Sequence, residues 1–310
     1  MAGCGGCAPV YYRCITDIFE KDDAAKALLR RHSVLPSSVD CPRCQKPCNL
    51  NNEGLWRCSE SHVVPKTRKR RYCGFGITDK KGTFLDNCHL PTWKVVLFVN
   101  HWINKLWDHE TVVNNLGITR KTSVDWRSFC SEVTEDWLSN QDSIGGDGIV
   151  VEIDETLIVK RKYERGRVLS QIWVFGGIER VSKKKFVVPL IGPVGEKRDA
   201  GTLLPLIEKY IRRGSIIISD QWGAYHRLHE RGYTRYTTQC IERLWRDLKE
   251  WVKRPGIRSN FLHQYLARYL FVKAHGSESF HHFLLCAAKL YPHGGDRDIP
   301  VAIQDDSDSD

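Results

Sequence analysis

Apolar residues along this chain change period twice. Ile15, Ile18, Phe19, Ala25, Leu28 and Leu29 recur at helical spacing and predict a helix over 15–32, ended by Leu35-Pro36-Ser37-Ser38. Residues 41–90 lose that period and become turn-rich, basic and cysteine-bearing. From Pro91 to Leu138 the helical pattern returns, rich in tryptophan, and Gly145-Gly146-Asp147-Gly148 then punctuates the chain. Apolar runs at 149–159, 168–180 and 185–192 predict strands, followed by a helix at 200–212 and a strand at 215–219. A helix at 238–253 stops at Pro255-Gly256, and helices at 260–274 and 277–290 complete the pattern, with no internal repeat. Three strands, a helix and another strand make the second half an α/β fold.

Composition narrows the partners. The 310 residues are 41% hydrophobic, enough for a real core, and carry a net charge of +10. Asp305, Asp306, Asp308 and Asp310 sit in a tail that reads as disordered, so the body is nearer +14, the +10 plus those four charges. Such a balance favours a polyanion, because each neutralised phosphate releases counterions. The N-terminus, Met1-Ala2-Gly3-Cys4-Gly5-Gly6, has neither the basic nor the apolar region of a secretion signal. No apolar run approaches the roughly 18 residues of a membrane span. A reducing compartment is therefore expected, and there the twelve cysteines point to metal rather than disulfides.

Cys41-Pro42-Arg43-Cys44 has the Cys-x2-Cys spacing that lets two thiolates bind one zinc. Cys58 and Cys73 form the best second pair, with Cys48 and His62 as substitutes. Between them lie Lys66, Arg68, Lys69, Arg70 and Arg71, which fit a phosphate clamp, a nuclear-import signal or a solvated loop. Further on, Val112, Val113, Leu116, Ile118, Val124, Phe129 and Val133 surround Leu116-Gly117-Ile118-Thr119. Helix, glycine turn and a second helix opening at Thr119 or Thr122 match a helix-turn-helix, with Arg120, Lys121 and Arg127 toward DNA. A plain helical hairpin reads the same way.

Three carboxylates and a lysine carry the candidate chemistry. Asp154 lies in the apolar run Ile149-Val150-Val151-Glu152-Ile153-Asp154, where an unpaired carboxylate would be costly, so a metal-ligand role at the strand edge explains it. Pairing with Lys160 or Arg161 is the structural alternative, and Glu155 is a competing ligand. Asp220 ends the run Ile216-Ile217-Ile218-Ser219 and equally suits a cap for a helix at Gln221-Trp222. Glu242 and Lys249, seven residues apart, share a helix face with Trp245, beside an apolar stripe of Ile241, Leu244, Leu248 and Val252. Carboxylates gathered from separate elements suit Mg²⁺ or Mn²⁺ and an in-line phosphoryl displacement, with Asp154 bridging two ions and Lys249 holding a phosphate.

The wording of these segments resembles the Merlin-superfamily transposases, relatives of the bacterial ISXO-two-like insertion-sequence transposases. Cys41-Pro42-Arg43-Cys44, Thr122-Ser123-Val124-Asp125-Trp126, Val151-Glu152-Ile153-Asp154-Glu155 and Trp173-Val174-Phe175-Gly176-Gly177 carry the likeness. So do Leu203-Leu204-Pro205-Leu206-Ile207, Gly214 to Asp220, and Ile241 to Lys249. The resemblance implies a ribonuclease-H-like DDE domain over 146–295, with Asp154, Asp220 and Glu242 as its acids and Lys249 as the accompanying lysine. It implies a zinc-ribbon-like module at 41–90 holding Zn²⁺ and a helix-turn-helix-like segment at 91–145. An N-terminal helical segment, 1–40, and an acidic tail, 296–310, flank them. Cut-and-paste transposition on terminal inverted repeats, target DNA, a homo-oligomer and a nuclear site in a eukaryotic cell would go with it. One departure stands out: Gly232 to Tyr236 runs almost directly into Thr237 to Glu242, where the family has a longer connection. That shortening supports an alternative, a transposase-derived DNA-binding protein that no longer cuts. A general metal-dependent nuclease is a third class.

Overall fold

The computed structural model describes residues 16–63, 70–105, 108–159, 172–191, 198–220, 223–236, 241–252 and 261–294. Two compact units divide the chain, one of Met1–Asn100 with Phe280–Asp310, the other of His101–Ser279. In chain order the elements are α1 (Asp22–Arg31), β1 (Asn49–Leu50), β2 (Leu55–Arg57), β3 (Ser61–Val63), β4 (Arg70–Tyr72), β5 (Gly76–Thr78) and α2 (Thr92–Asn104). Then come α3 (His109–Leu116), α4 (Arg120–Ser139), β6 (Val150–Val159), β7 (Ile172–Glu179), β8 (Lys185–Leu190), α5 (Ala200–Tyr210) and β9 (Ile216–Ile218). β10 (Thr234–Tyr236), α6 (Glu242–Val252), α7 (Leu262–His275) and α8 (Ser279–Leu290) complete it. Among the described residues no helix is long and apolar enough to cross a membrane.

In the first unit, the helix expected over 15–32 is broken: residues 16–18 are helical, and α1 begins at Asp22. Glu20, at φ 57°, takes a left-handed turn that an L residue adopts reluctantly, and this interrupts the run. α1 buries Ala25, Leu28 and Leu29, the apolar stripe read from the sequence. Its Arg30 pairs with the buried Asp79 at 3.0 Å. β1, β2 and β5 form a small antiparallel sheet, and β3 with β4 a separate hairpin. These pieces are too short to enclose an apolar core. Cys41, Cys48, Trp56 and Cys58 supply most of what is buried.

The second unit is organised by one five-stranded sheet, ordered β10-β9-β6-β7-β8. β6, β7 and β8 are antiparallel neighbours, whereas β9 runs parallel to β6 and β10 parallel to β9. Side-chain alternation sorts the sheet into two apolar faces. Val151, Ile153, Phe175 and Ile217 meet Leu203, Leu204 and Ile207 of α5. Ile172, Val174 and Val187 meet Leu244, Trp245 and Leu248 of α6 and Leu262, Leu266 and Leu270 of α7. A sheet covered on both sides explains why its strands read as nearly continuous apolar runs. β10 was not among the predicted strands; three residues with no apolar alternation give a sequence pattern nothing to register. α4 lies along α7, with the Trp137 and Phe271 rings edge-on at 5.0 Å.

Candidate active site

Asp154 and Asp220 are brought together by strand pairing. β6 and β9 are in parallel register as far as Glu152 opposite Ile218; Asp154 lies two residues further along β6, and Asp220 two residues beyond the end of β9. Neighbouring strands lie about 4.8 Å apart, and equal parity puts both carboxylates on one face of the sheet. It is the face covered by α6. Asp220 is the second residue after β9, and Arg235 of β10 holds that stretch by donating to the Asp220 carbonyl at 2.6 Å and the Ser219 hydroxyl at 3.1 Å. The helix weighed as a partner for Asp220 begins at residues outside the described set. The next described element is a short 3-10 turn, Gly223–Tyr225.

α6 docks with the stripe the sequence indicated: Ile241, Leu244, Leu248 and Val252 are all buried. Trp245, expected on the site face with Glu242 and Lys249, is buried there, at 5% exposure. Its indole Nε1–H donates to Asp154 Oδ2 at 2.8 Å. A hydrogen bond to a charged acceptor contributes about 1.5–3 kcal/mol. The cross-strand partner of Asp154 is Gly176, and the indole lies on it. A Cβ at Gly176 would stand 2.7 Å from Trp245 Cη2 and 2.9 Å from the Phe186 carbonyl oxygen. This glycine is therefore the floor on which the tryptophan reaches the aspartate. Glu242 is the first residue of α6, three before Trp245, and it is exposed; so is Lys249. Strand register directs Asp154 and Asp220 to one sheet face and Trp245 ties α6 to Asp154, but among the described residues the Glu242 carboxylate is not gathered with the two aspartates into one ligand set.

Glu155, the competing ligand, points to the other face. Burial lifts its carboxyl to about 7, and the charges of Asp154 and Asp220 push in the same direction. The Tyr225 hydroxyl donates to its Oε1, and burial, then Glu155, Asp220 and Asp154, hold that phenol well above its usual range. The Tyr225 contact had no sequence signal, since it joins residues seventy apart. Two buried groups thus feel a concentration of negative charge at this end of the sheet, which a divalent cation would relieve. Glu152, also in the run, is accounted for by a 2.8 Å pair with Arg180.

The cysteines form the second candidate centre, in the first unit. Ligand atoms of Cys41, Cys44, Cys58 and Cys73 all lie within 4.8 Å of one another, and among the described residues this is the gathered metal-competent set. Sulfur separations are 3.4 Å for Cys41–Cys73, 3.3 Å for Cys44–Cys58 and 3.9 Å for Cys44–Cys73. Four thiolates around zinc at about 2.3 Å would stand about 3.8 Å apart, so the set fits a tetrahedral ion. Burial raises the Cys41 thiol, but the backbone N–H groups of Cys44 and Arg43 and the neighbouring thiols bring it down to about 6, whereas Cys44, beside Cys58, is pushed up to about 12. Cys48 is buried nearby without joining the set, and the His62 side chain lies outside the described residues. Arg43 Nη1 donates to the Cys73 carbonyl at 2.8 Å, tying the two knuckles. Arg70 and Arg71 are exposed on β4, whereas Lys66, Arg68 and Lys69 lie outside the described residues, as does the tail.

The helix-turn-helix geometry is built by its caps. The Asp108 carboxylate accepts from Thr111 N–H, Gly117 turns at φ 54°, and the Thr119 hydroxyl accepts from Thr122 N–H. Val112, Leu116, Ile118 and Val133 are buried, but Val124 and Phe129 are 54% and 44% exposed. α4 packs instead through Trp126, Cys130 and Val133, at helical spacing. Lys121 is exposed, Arg120 pairs with Glu110 at 2.7 Å, and Arg127 is half-buried.

Residues 144–275 match the family described as the ISXO2-like transposase domain. No curated protein matches the chain. Among solved structures, one similar chain comes from the cryo-EM structure of the simian T-cell lymphotropic virus intasome in complex with PP2A regulatory subunit B56 gamma. Identity is 14%, the match covers 55% of this chain and 66% of that one, and the TM-score is 0.28, too low to carry weight.

Proposed function

Since residues 144–275 are a DDE-type transposase domain related to those of the ISXO2-like elements, we propose that the chain is a cut-and-paste DNA transposase with Asp154, Asp220 and Glu242 as its catalytic acids. The observation that supports this reading is the β6–β9 register, which directs Asp154 and Asp220 to the sheet face against which α6 is docked through Trp245. The strand order, three antiparallel strands with two parallel ones added at one edge, fits a ribonuclease-H-like domain. Asp154, Asp220 and Glu242 offer the oxygen-only donors that Mg²⁺ or Mn²⁺ prefers. The ions, when bound, supply Lewis-acid activation of a water or a 3′-hydroxyl and stabilise the leaving oxygen. The chain's own residues orient and exclude. β6 and β9 fix two carboxylates on a rigid sheet, and Glu242 enters from the start of α6. Lys249, exposed two turns along, holds a phosphate as a point charge.

The four-cysteine cluster holds Zn²⁺ and stiffens the module at 41–90, presenting Arg70 and Arg71 to DNA together with the basic residues between β3 and β4. Lys121 and the α3–α4 turn read the terminal inverted repeats. Two copies of the chain pair the ends, and the work is done in the nucleus of a eukaryotic host. The segment boundaries read from the sequence, 41–90, 91–145 and 146–295, are the functional parts in this proposal.

Purified protein with Mg²⁺ or Mn²⁺ should nick duplexes bearing the inverted repeats that flank its coding region. Asp154→Ala should lose at least about a hundredfold in rate. Equal nicking by wild type and variant would refute the assignment. A second reading is favoured by the exposure of Glu242 and by the short connection that precedes α6. In it the chain binds the ends and no longer cuts. Salt-sensitive binding without cleavage under either metal would select that reading, and cleavage restored by lengthening the connection after Tyr236 would locate the loss.

A further inference from the structure

We propose that Trp245 is the positioning residue of the site, orienting the Asp154 carboxylate for the cation through its indole N–H. The inference rests on the metal-site reading and adds to it a residue that touches neither substrate nor ion.

Three observations carry it. The indole Nε1–H donates to Asp154 Oδ2 at 2.8 Å, from a ring that is 5% exposed. A buried indole N–H needs an acceptor, and a backbone carbonyl would satisfy it at no functional consequence. Here the acceptor is the carboxylate on which the site depends. Next, the approach is possible only because Asp154's cross-strand partner is glycine, since any Cβ at Gly176 would stand 2.7 Å from the ring. Finally, the ring is not adjustable. It belongs to a helix clamped by Leu244, Leu248 and Val252, all buried. A carboxylate held by a rigid donor keeps one orientation before the ion arrives, which is how outer groups sharpen metal sites.

The same bond sets the helix. Glu242 lies three residues before Trp245, about 4.5 Å along the axis. Whatever fixes Trp245 on Asp154 therefore fixes the height of Glu242 above the sheet. One hydrogen bond registers a sheet-borne acid and a helix-borne one, despite the short connection that precedes α6.

The test separates donor from shape. Trp245 is replaced in the full chain by benzothienylalanine, an isostere with sulfur in place of N–H, and in parallel by phenylalanine (Trp245→Phe). Mn²⁺ affinity is read by calorimetry, alongside thermal stability without metal. The isostere, which keeps the ring's packing, should lose only the stability that one hydrogen bond contributes, yet bind Mn²⁺ about tenfold more weakly, the usual loss when an orienting partner goes. Trp245→Phe should lose at least as much affinity and also some stability. In metal-free protein, the indole N–H resonance that vanishes in Trp245→Phe should shift in Asp154→Ala. Wild-type Mn²⁺ affinity in the isostere, or an unmoved resonance, would overturn the proposal while leaving the metal site standing. Wild-type protein that binds no Mn²⁺ would overturn both.

Discussion

Gly176→Ala puts the central packing contact under direct strain. The new methyl would lie 2.7 Å from Trp245 Cη2, 3.3 Å from Cζ3 and 2.9 Å from the Phe186 carbonyl oxygen. Ordinary contact begins at 3.4 Å, so the ring must retreat by the difference, 0.7 Å, or β7 must bend away from β8. The carbonyl belongs to the β7–β8 ladder and cannot yield without breaking it. Overpacking of this kind costs about 1–3 kcal/mol. Retreat of the ring also lengthens a 2.8 Å hydrogen bond toward the point where it ceases to be one. For a unit of this size each kcal/mol lowers the melting temperature by roughly 2–4 °C, which gives a fall of about 2–12 °C. Calorimetry on the full chain, with Gly223→Ala as control, reads it; a Cβ at Gly223 meets nothing within 4 Å. Mn²⁺ affinity should fall in Gly176→Ala and hold in the control. If Gly176→Ala matches wild type in both readings, the indole does not rest on this glycine and the docking of α6 is misassigned.

Other consequences are separable. Protein purified without chelator should contain one zinc per chain, and Cys41→Ser or Cys73→Ser should lose it and expose Trp56, seen as a red-shifted tryptophan emission; full zinc content in both variants would remove the cluster. Lys121→Ala should lower the salt slope of DNA binding by about 1, and Arg120→Ala by less, because Glu110 already neutralises Arg120. The reverse ranking would mean that the helix pair meets DNA by another edge. In the first unit, burial lowers the His32 pKa below 6.5. Its Nδ1–H donates to the Leu28 carbonyl, and its Nε2 accepts from His281 Nδ1–H at 3.0 Å. The folded form resists a proton that the unfolded chain takes up, so this contribution is complete above pH 6.5 and is lost as pH falls through the lowered value. Wild type should lose its stability margin over His32→Gln progressively as pH falls below 6.5 in denaturant titrations; a margin that stays constant would contradict the assignment.

Much of the arrangement was written locally in the chain. The apolar runs around Ile153 and Ile217 marked the strands, and the stripe from Ile241 to Val252 marked how α6 would dock. Cysteine spacing brought out the Cys41–Cys44 knuckle. Legibility ended where the decisive contact was tertiary. Helical spacing puts Trp245 on the site face with Glu242 and Lys249, but carries no sign that it is buried there and donates to Asp154 over the hole at Gly176, a contact across two elements. Val124 and Phe129 looked like interior residues because they are apolar, yet α4 buries the neighbouring stripe of Trp126, Cys130 and Val133. Glu20 ended a helix that hydrophobic spacing alone would have continued, since a left-handed φ leaves no trace in apolar periodicity.

The proposed chemistry requires that two strand-borne aspartates and a helix-borne glutamate hold divalent cations. Crystals of the full chain soaked in Mn²⁺ and measured at the manganese absorption edge test it most directly. Anomalous density is expected between the Asp154 and Asp220 carboxylates, with Glu242 drawn to it when a DNA end is bound. Crystals that take up Mn²⁺ elsewhere, with none at either aspartate, would contradict it.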